Sequence, residues 1–170
     1  MKIFLVGLLG SGKSTLGKQL ARHLKYNYID TDLVIAQNEG KTVDEIFSTA
    51  GESHFRTLEA NLIKQLVTND DIVVSTGGGL PCFHDNMAVM NAAGITIFID
   101  TALDTIVDRL YNQPNKEQRP MLKGLNKTEI NTLINTLHKQ RLTFYKEAKF
   151  TISGKNVELK HLIPIFDNLD

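Results

Sequence analysis

Residues 7–14 read Gly7-Leu8-Leu9-Gly10-Ser11-Gly12-Lys13-Ser14 and fit the pattern G-x-x-x-x-G-K-[ST]. No other feature constrains the fold as strongly, because the pattern works only at a strand-to-helix turn. Its glycines let successive backbone N–H groups face inward around phosphate oxygens, with no Cβ in the way. The helix that follows adds the positive end of its dipole. Both conditions are met here. An apolar run, residues 2–6, precedes the motif, and residues 13–24 carry Leu16, Leu20, Ala21 and Leu24 on one helical stripe. Lys13 is thereby placed to reach the β- and γ-phosphates of a nucleotide, and the Ser14 hydroxyl to ligate Mg²⁺.

The alternation of short apolar runs with helical periods continues along the chain. Residues 2–6, 27–30, 72–75, 96–99 and 150–152 are strand candidates, several of them continuously apolar, as strands covered on both faces tend to be. Strand–helix–strand repetition predicts an α/β fold, a parallel sheet with helices on its faces. Leu159, Leu162, Ile163, Phe166 and Leu169 recur at helical spacing and predict a closing helix on that sheet. Two stretches interrupt the pattern. Residues 33–68 read as a wholly helical insertion, and residues 112–125, with Pro114, Pro120 and Gly124, as a mobile loop between two helices. At 170 residues the chain is expected to form one domain with these attachments.

Composition narrows the partners. Lys plus Arg and Asp plus Glu each total 19, so the formal net charge is zero, which argues against nucleic acid as a partner. No apolar run approaches the ~20 residues of a membrane span. Ile3 to Leu9 superficially resembles a signal segment but lacks a small-residue cleavage site and runs into the glycine motif, so it is read as a buried strand. The single cysteine, Cys82, excludes an internal disulfide and fits a reducing, cytoplasmic location.

The phosphate motif alone leaves open a GTPase switch, a motor-type ATPase or a small-molecule kinase. Asn126-Lys127-Thr128-Glu129 looks like a guanine-reading box, but it ends in Glu and reads better as a helix start with an acid in its first turn. Asp30-Thr31-Asp32 ends the second strand, where ligands of a parallel sheet gather. If both acids lie on that strand they face one side, one for the hydration shell of Mg²⁺ and one to accept a proton from an attacking hydroxyl; Asp32 also suits a cap for a helix starting near Leu33.

Two arginines stand out. Arg141 falls at the centre of the stripe formed by Ile130, Leu133, Ile134, Leu137 and Phe144, and so requires a carboxylate or an anionic ligand. Arg56 lies among Phe55, Leu58, Leu62, Ile63 and Leu66 with Glu59 one turn on. It can form an internal pair with Glu59 or, with Arg141, clamp a carboxylate. Gly77-Gly78-Gly79 at the end of the third strand offer bare backbone N–H groups or simply a turn. Arg119 in the loop 112–125 is either solvated or a cation on a closing lid. Cys82 reads as an inert thiol, and the five histidines show no metal-ligand spacing.

Together, GLLGSGKST (7–15), DTD (30–32), FRTLE (55–59), GGG (77–79), RP-M-L (119–122) and RLTFY (141–145) make the chain resemble the shikimate kinases over essentially its whole length. The resemblance implies a three-layer α/β/α fold of the P-loop NTPase, nucleoside monophosphate kinase-like kind, with a five-stranded parallel sheet. It implies a substrate-binding helical insertion at about 33–60, a lid at about 111–125, and a monomer acting on small molecules. The implied activity is ATP- and Mg²⁺-dependent phosphorylation of the shikimate 3-hydroxyl, a step toward chorismate and the aromatic amino acids. Gly10, Ser11, Gly12, Lys13, Ser14 and Thr15 would hold ATP, with Arg109 stacking on adenine and Arg119 as the lid cation. Ser14 and Asp30 would hold Mg²⁺. Asp32 would orient and deprotonate the substrate hydroxyl; Arg56 and Arg141 would clamp the carboxylate; Gly77, Gly78 and Gly79 would line the ring; Phe47 and Phe55 would supply apolar walls.

The nearest rivals are kinases of gluconate or of a nucleoside monophosphate. The latter must hold a second set of phosphates, yet Arg56 is the sole arginine in residues 33–68. A nucleotide-binding switch without turnover would need a guanine box or a partner surface, and neither is apparent. The neutral total charge thus conceals a local excess: Lys13, Arg56, Arg109, Arg119 and Arg141 are expected to converge on one anion-binding cleft.

Overall fold

The computed structural model of the chain describes residues 1–114 and 121–167. Five parallel strands, β1 (Lys2–Val6), β2 (Asn27–Asp30), β3 (Ile72–Ser75), β4 (Ile95–Thr101) and β5 (Phe150–Gly154), form one sheet in the order β2-β3-β1-β4-β5. All four pairings are parallel, as the apolar runs predict. Strand alternation splits β1 between two cores. Ile3 and Leu5 pack with Leu16, Leu20 and Ala21 of α1 (Lys13–Leu24) and Leu162 of α7 (Leu159–Asp167). Phe4 and Val6 face the other way, onto α3 (Val43–Leu66), α4 (Asn86–Ala93), α5 (Leu103–Asn112) and α6 (Lys127–Tyr145). Each fully buried aliphatic side chain contributes about 1.5–3 kcal/mol, so the two-sided burial of β1 anchors the loop that leaves its end.

Three boundaries differ from the sequence reading. Strands β4 and β5 run on through Asp100–Thr101 and Ser153–Gly154, because those polar residues find ladder partners in each other. The stretch 33–68 is two helices rather than one. α2 (Thr31–Glu39) already begins at Thr31 and ends at Gly40, which is left-handed (φ 62°). Thr42 then caps α3 in a reciprocal pair with Glu45, and Gly51 (φ 83°, ψ 168°) kinks that helix. Finally, the connection between α5 and α6 is not free along its length, since Leu122 is fully buried in the larger core. Asn126 caps α6 with Glu129, so the Asn-Lys-Thr-Glu stretch is a helix start. Among the described residues no helix is long and apolar enough to cross a membrane.

Candidate active site

The glycine motif forms the turn from β1 to α1. Gly10 (φ 78°) and Gly12 (φ 99°) both sit in the left-handed region, where a side chain is strained. Lys13 is folded back over the turn, its Nζ donating to the carbonyls of Gly7 (2.9 Å) and Leu8 (2.7 Å). Two neighbours brace the loop: Ser75 donates to Lys13 O at 3.0 Å, and Thr101 to Ser11 O at 2.8 Å. Ser75 stands where many phosphate-binding folds carry an acid, and here it secures the start of α1. Arg109 lies across the other flank, donating loosely to Gly10 O and Ser11 O (3.4 Å each) and to Asn156 Oδ1 (3.4 Å) beyond β5.

The two acids of the Asp-Thr-Asp run are separated by a helix start, so they do not project together from one strand. Asp30 is the cap: its Oδ1 accepts from the N–H groups of Asp32 (3.2 Å) and Leu33 (3.4 Å). Its Oδ2 accepts from Ser14 Oγ (3.1 Å) and the Tyr28 hydroxyl (3.3 Å). The capping role the sequence suggests for Asp32 thus belongs to Asp30. Asp32 turns instead toward the Gly77–Gly79 loop, and Thr31 between them accepts from Gly77 N at 2.9 Å. One acid therefore faces Ser14 at the glycine turn and the other the Gly77–Gly79 loop.

The three glycines are dictated by close approach. A Cβ on Gly77 would lie 2.5 Å from Asp32 Oδ1 and 3.1 Å from Glu59 Oε1. One on Gly78 would lie 3.1 Å from Arg141 Nη1, and one on Gly79 2.6–2.8 Å from three atoms of the Arg56 guanidinium. Each glycine thus leaves room for a charged side chain, and Gly77 for two. Gly79 has an ordinary backbone (φ −88°), so Gly79→Ala should fold while displacing Arg56. We expect about a tenfold weaker hold on an anionic substrate, the scale of one charge-assisted hydrogen bond, with nucleotide affinity unchanged. Titration with each ligand checks this, and equal loss of both would mean a general collapse of the loop.

Arg56 is 7% exposed and makes the internal pair that the sequence allows, Nη1 to Glu59 Oε2 at 2.8 Å, and a second to Glu52 at 2.9 Å. Phe55 is buried and stacks on Phe47 at 4.7 Å; both flank Arg56 rather than standing alone as a wall. Arg141 is half-buried, and Tyr145 one turn on donates to Gly78 O at 2.6 Å, which pins the end of α6 to the same loop. Arg119 lies outside the described residues. Thr31 and Tyr145 fall inside the motifs DTD and RLTFY without a role assigned from sequence, and Glu52 and Phe83 lie outside every motif. The i, i+4 spacing of Glu52 and Arg56 is the signal for one of them, while the roles of the others depend on contacts between distant segments.

Charge in this pocket is unevenly held. Burial alone would lower the Arg56 guanidinium, but Glu59 and Glu52 outweigh it and leave it raised. Burial pushes the Glu59 carboxyl up to about 7 against the pull of Arg56, with Asp32 adding to the rise and Arg141 opposing it. Arg56 is thus the fixed charge and Glu59 the group that titrates. Glu59 Oε1 is buried and has no hydrogen-bond partner among the described residues, which a neutral carboxyl tolerates better than an ionised one. A carboxyl with a raised folded-state pKa favours the fold while protonated, and that contribution fades as pH rises through about 7. Glu59→Gln does not titrate, so it should gain stability on the parent between about pH 5 and about pH 9, by at most about 3 kcal/mol. Thermal unfolding at both pH values tests this; a constant difference would mean that Glu59 stays in one state. Burial also raises the Cys82 thiol to about 11, consistent with an inert thiol.

Lys13, Ser14, Thr15, Asp30, Asp32, Gly77, Gly78 and Arg109 line one cleft of about 1380 Å³, ample for a nucleotide beside a small second substrate. Glu59, Arg56 and Arg141 do not line that cleft themselves but reach the Gly77–Gly79 loop that borders it, so of the cations expected there Lys13 and Arg109 are the ones on its wall among the described residues. Among the described residues no three His, Cys, Asp or Glu converge as metal ligands. Ser14 Oγ and Asp30 Oδ2, hard oxygens 3.1 Å apart beside the phosphate turn, are a donor pair suited to Mg²⁺, which keeps most of its waters and takes few protein ligands.

Comparison with known proteins agrees with this geometry. A sequence model of the shikimate kinases matches residues 9–163. A shikimate kinase of Bacteroides fragilis is 42% identical over 158 residues, covering 93% of this chain and 87% of that protein. The crystal structure of shikimate kinase from Bacteroides thetaiotaomicron superposes with a TM-score of 0.93 at 35% identity, covering 98% of each chain. The shikimate kinase of Acinetobacter baumannii, solved in complex with shikimate, superposes with a TM-score of 0.85 at 28% identity over 99% of this chain and 95% of that one.

Proposed function

The chain belongs to the shikimate kinase family, and on that premise we propose that its cleft transfers the γ-phosphoryl group of ATP to the 3-hydroxyl of shikimate, giving ADP and shikimate 3-phosphate. The carrying observation is the convergence of a phosphate turn, an acid and two arginines on the Gly77–Gly79 loop. Phosphoryl transfer asks little covalent chemistry of a protein; it asks for positioning and for charge placed where charge develops. The turn 10–15 holds the phosphates, and Lys13 swings from the Gly7 and Leu8 carbonyls to the β- and γ-oxygens when they arrive. Ser14 and Asp30 would hold Mg²⁺, which would supply charge neutralisation for the transferred phosphoryl group. Arg109, against the turn and Asn156, suits the adenine side. Arg56 and Arg141 take the substrate carboxylate, which orients the ring so that the 3-hydroxyl meets Asp32. Asp32 accepts the hydroxyl proton as the oxygen attacks phosphorus. Arg119 is assigned the lid cation by resemblance.

A nucleoside monophosphate kinase is the weaker reading, since Arg56, the sole arginine of α2 and α3, is already engaged by Glu52 and Glu59. The same proposal covers a single kinase domain over 1–170, working as a cytoplasmic monomer without nucleic-acid or membrane partners. It is supported by the balanced charge and the lone cysteine. A coupled ADP-release assay with shikimate, gluconate and AMP decides the substrate: turnover should require ATP, Mg²⁺ and shikimate, and absence of shikimate-stimulated turnover would sink the proposal.

A further inference from the structure

Phe83 is an aromatic residue that the hydrophobic cores do not account for. It is 38% exposed, and among the described residues neither core includes it. Its ring meets a charge instead. The guanidinium carbon of Arg56 lies 4.4 Å from the ring centroid, against 5.6 Å for Phe55 and 5.8 Å for Phe47. The backbone around it is held in an uncommon shape. Phe83 is extended (φ −129°, ψ 154°), and His84 and Asp85 directly after it are both left-handed, with φ of 51° and 55°. Such residues cost about 1–2 kcal/mol each and persist where the surroundings impose them. Asn86 holds the bend, its N–H donating to Phe83 O at 3.0 Å and its Nδ2 to Leu80 O at 2.9 Å.

The donors of Arg56 indicate what the contact does. Of its five N–H groups, Nε and Nη2 donate to Glu52 and Nη1 to Glu59. One N–H on each Nη is left, two donors of the planar guanidinium fork that remain for an anionic ligand. That fork discriminates only if its plane is fixed relative to the rest of the site. Phe55 cannot fix it, because it is the helical neighbour of Arg56 itself, and Phe47, across the Gly51 kink, is the most distant of the three rings at 5.8 Å. Phe83 can, because it is carried by the same connection after β3 as Gly77–Gly79, two of which border the cleft.

We infer that Phe83 is a positioning residue for the substrate carboxylate, its ring holding the Arg56 guanidinium plane in register with the Gly77–Gly79 loop. This rests on the reading that Arg56 binds that carboxylate, and the experiment separates the two. Steady-state kinetics and thermal unfolding are measured for Phe83→Leu, which keeps apolar bulk without a π face, for Phe83→Tyr, which keeps the ring, and for Arg56→Lys, which keeps the charge without the fork. Phe83→Leu is expected to raise KM for shikimate about tenfold, with kcat, KM for ATP and Tm unchanged, and Phe83→Tyr to behave as the parent. Arg56→Lys should raise KM for shikimate further. If Phe83→Leu leaves that KM alone while Arg56→Lys raises it, the role of Phe83 is overturned and that of Arg56 stands. If Arg56→Lys leaves it alone, the carboxylate reading itself fails. A rise in KM for both substrates with a lowered Tm, unrescued by Tyr, would make Phe83 a packing residue and overturn the inference.

Discussion

Asp32→Asn should lower kcat by about 10²–10⁴, the usual contribution of a positioned general base, while nucleotide affinity stays near that of the parent. The substitution is nearly isosteric, so the close approach of Asp32 to Gly77 is preserved. It removes the capacity to take up a proton and little else. The nucleotide side is built from other residues: the turn 10–15, with Ser14 bonded to Asp30, which also caps α2. Because Asp30 carries both the cap and the Ser14 contact, Asp32 can be changed without loosening the helix start. Turnover measured beside a nucleotide titration checks the split. A kcat close to the parent's would remove Asp32 from the chemistry, and an equal fall in nucleotide affinity would make it structural.

The second large effect is expected at Arg141. Removing one partner of a desolvated charge pair costs about 2–5 kcal/mol, so Arg141→Ala should weaken shikimate binding by about a hundredfold while ATP binding is nearly intact. The fold should tolerate the change. Arg141 is only half-buried, and although its guanidinium also meets the Tyr145 hydroxyl, that hydroxyl keeps its own bond to Gly78 O at the end of α6. Comparable losses of shikimate and ATP binding, measured by titration, would identify Arg141 as a structural residue instead. Together with Asp32→Asn this separates binding from chemistry: one variant should lose substrate affinity, the other turnover.

Much of the fold was legible because its signals are local. The ends of β1, β2 and β3 and of α1 match the sequence reading residue for residue. The misreadings have two causes, one non-local and one local. Asp100–Thr101 and Ser153–Gly154 look like strand terminators, and only their mutual pairing makes them strand. The break between α2 and α3 was signalled by Gly40 and by Thr42 with Glu45, a left-handed stop and a capping box that helical composition on both sides obscured. Placing Asp30 and Asp32 on one strand failed for a related reason: an Asp that caps its own helix ends the strand at itself.

The phosphate turn, the parallel α/β architecture and the requirement that Arg56 and Arg141 find anionic partners follow from residue order alone. Each depends on backbone freedom, periodicity or the cost of an unpaired charge within one segment. Which groups meet across segments was decided by the tertiary structure. Gly77, Gly78 and Gly79 are glycines because Asp32, Arg141 and Arg56, from three separate helices, pass within van der Waals distance of them. The high pKa of Glu59 arises from burial among those same groups, and the stacking of Phe83 on Arg56 joins residues 27 positions apart. Contacts of this kind are set by how the layers pack, and no periodicity along the chain encodes them.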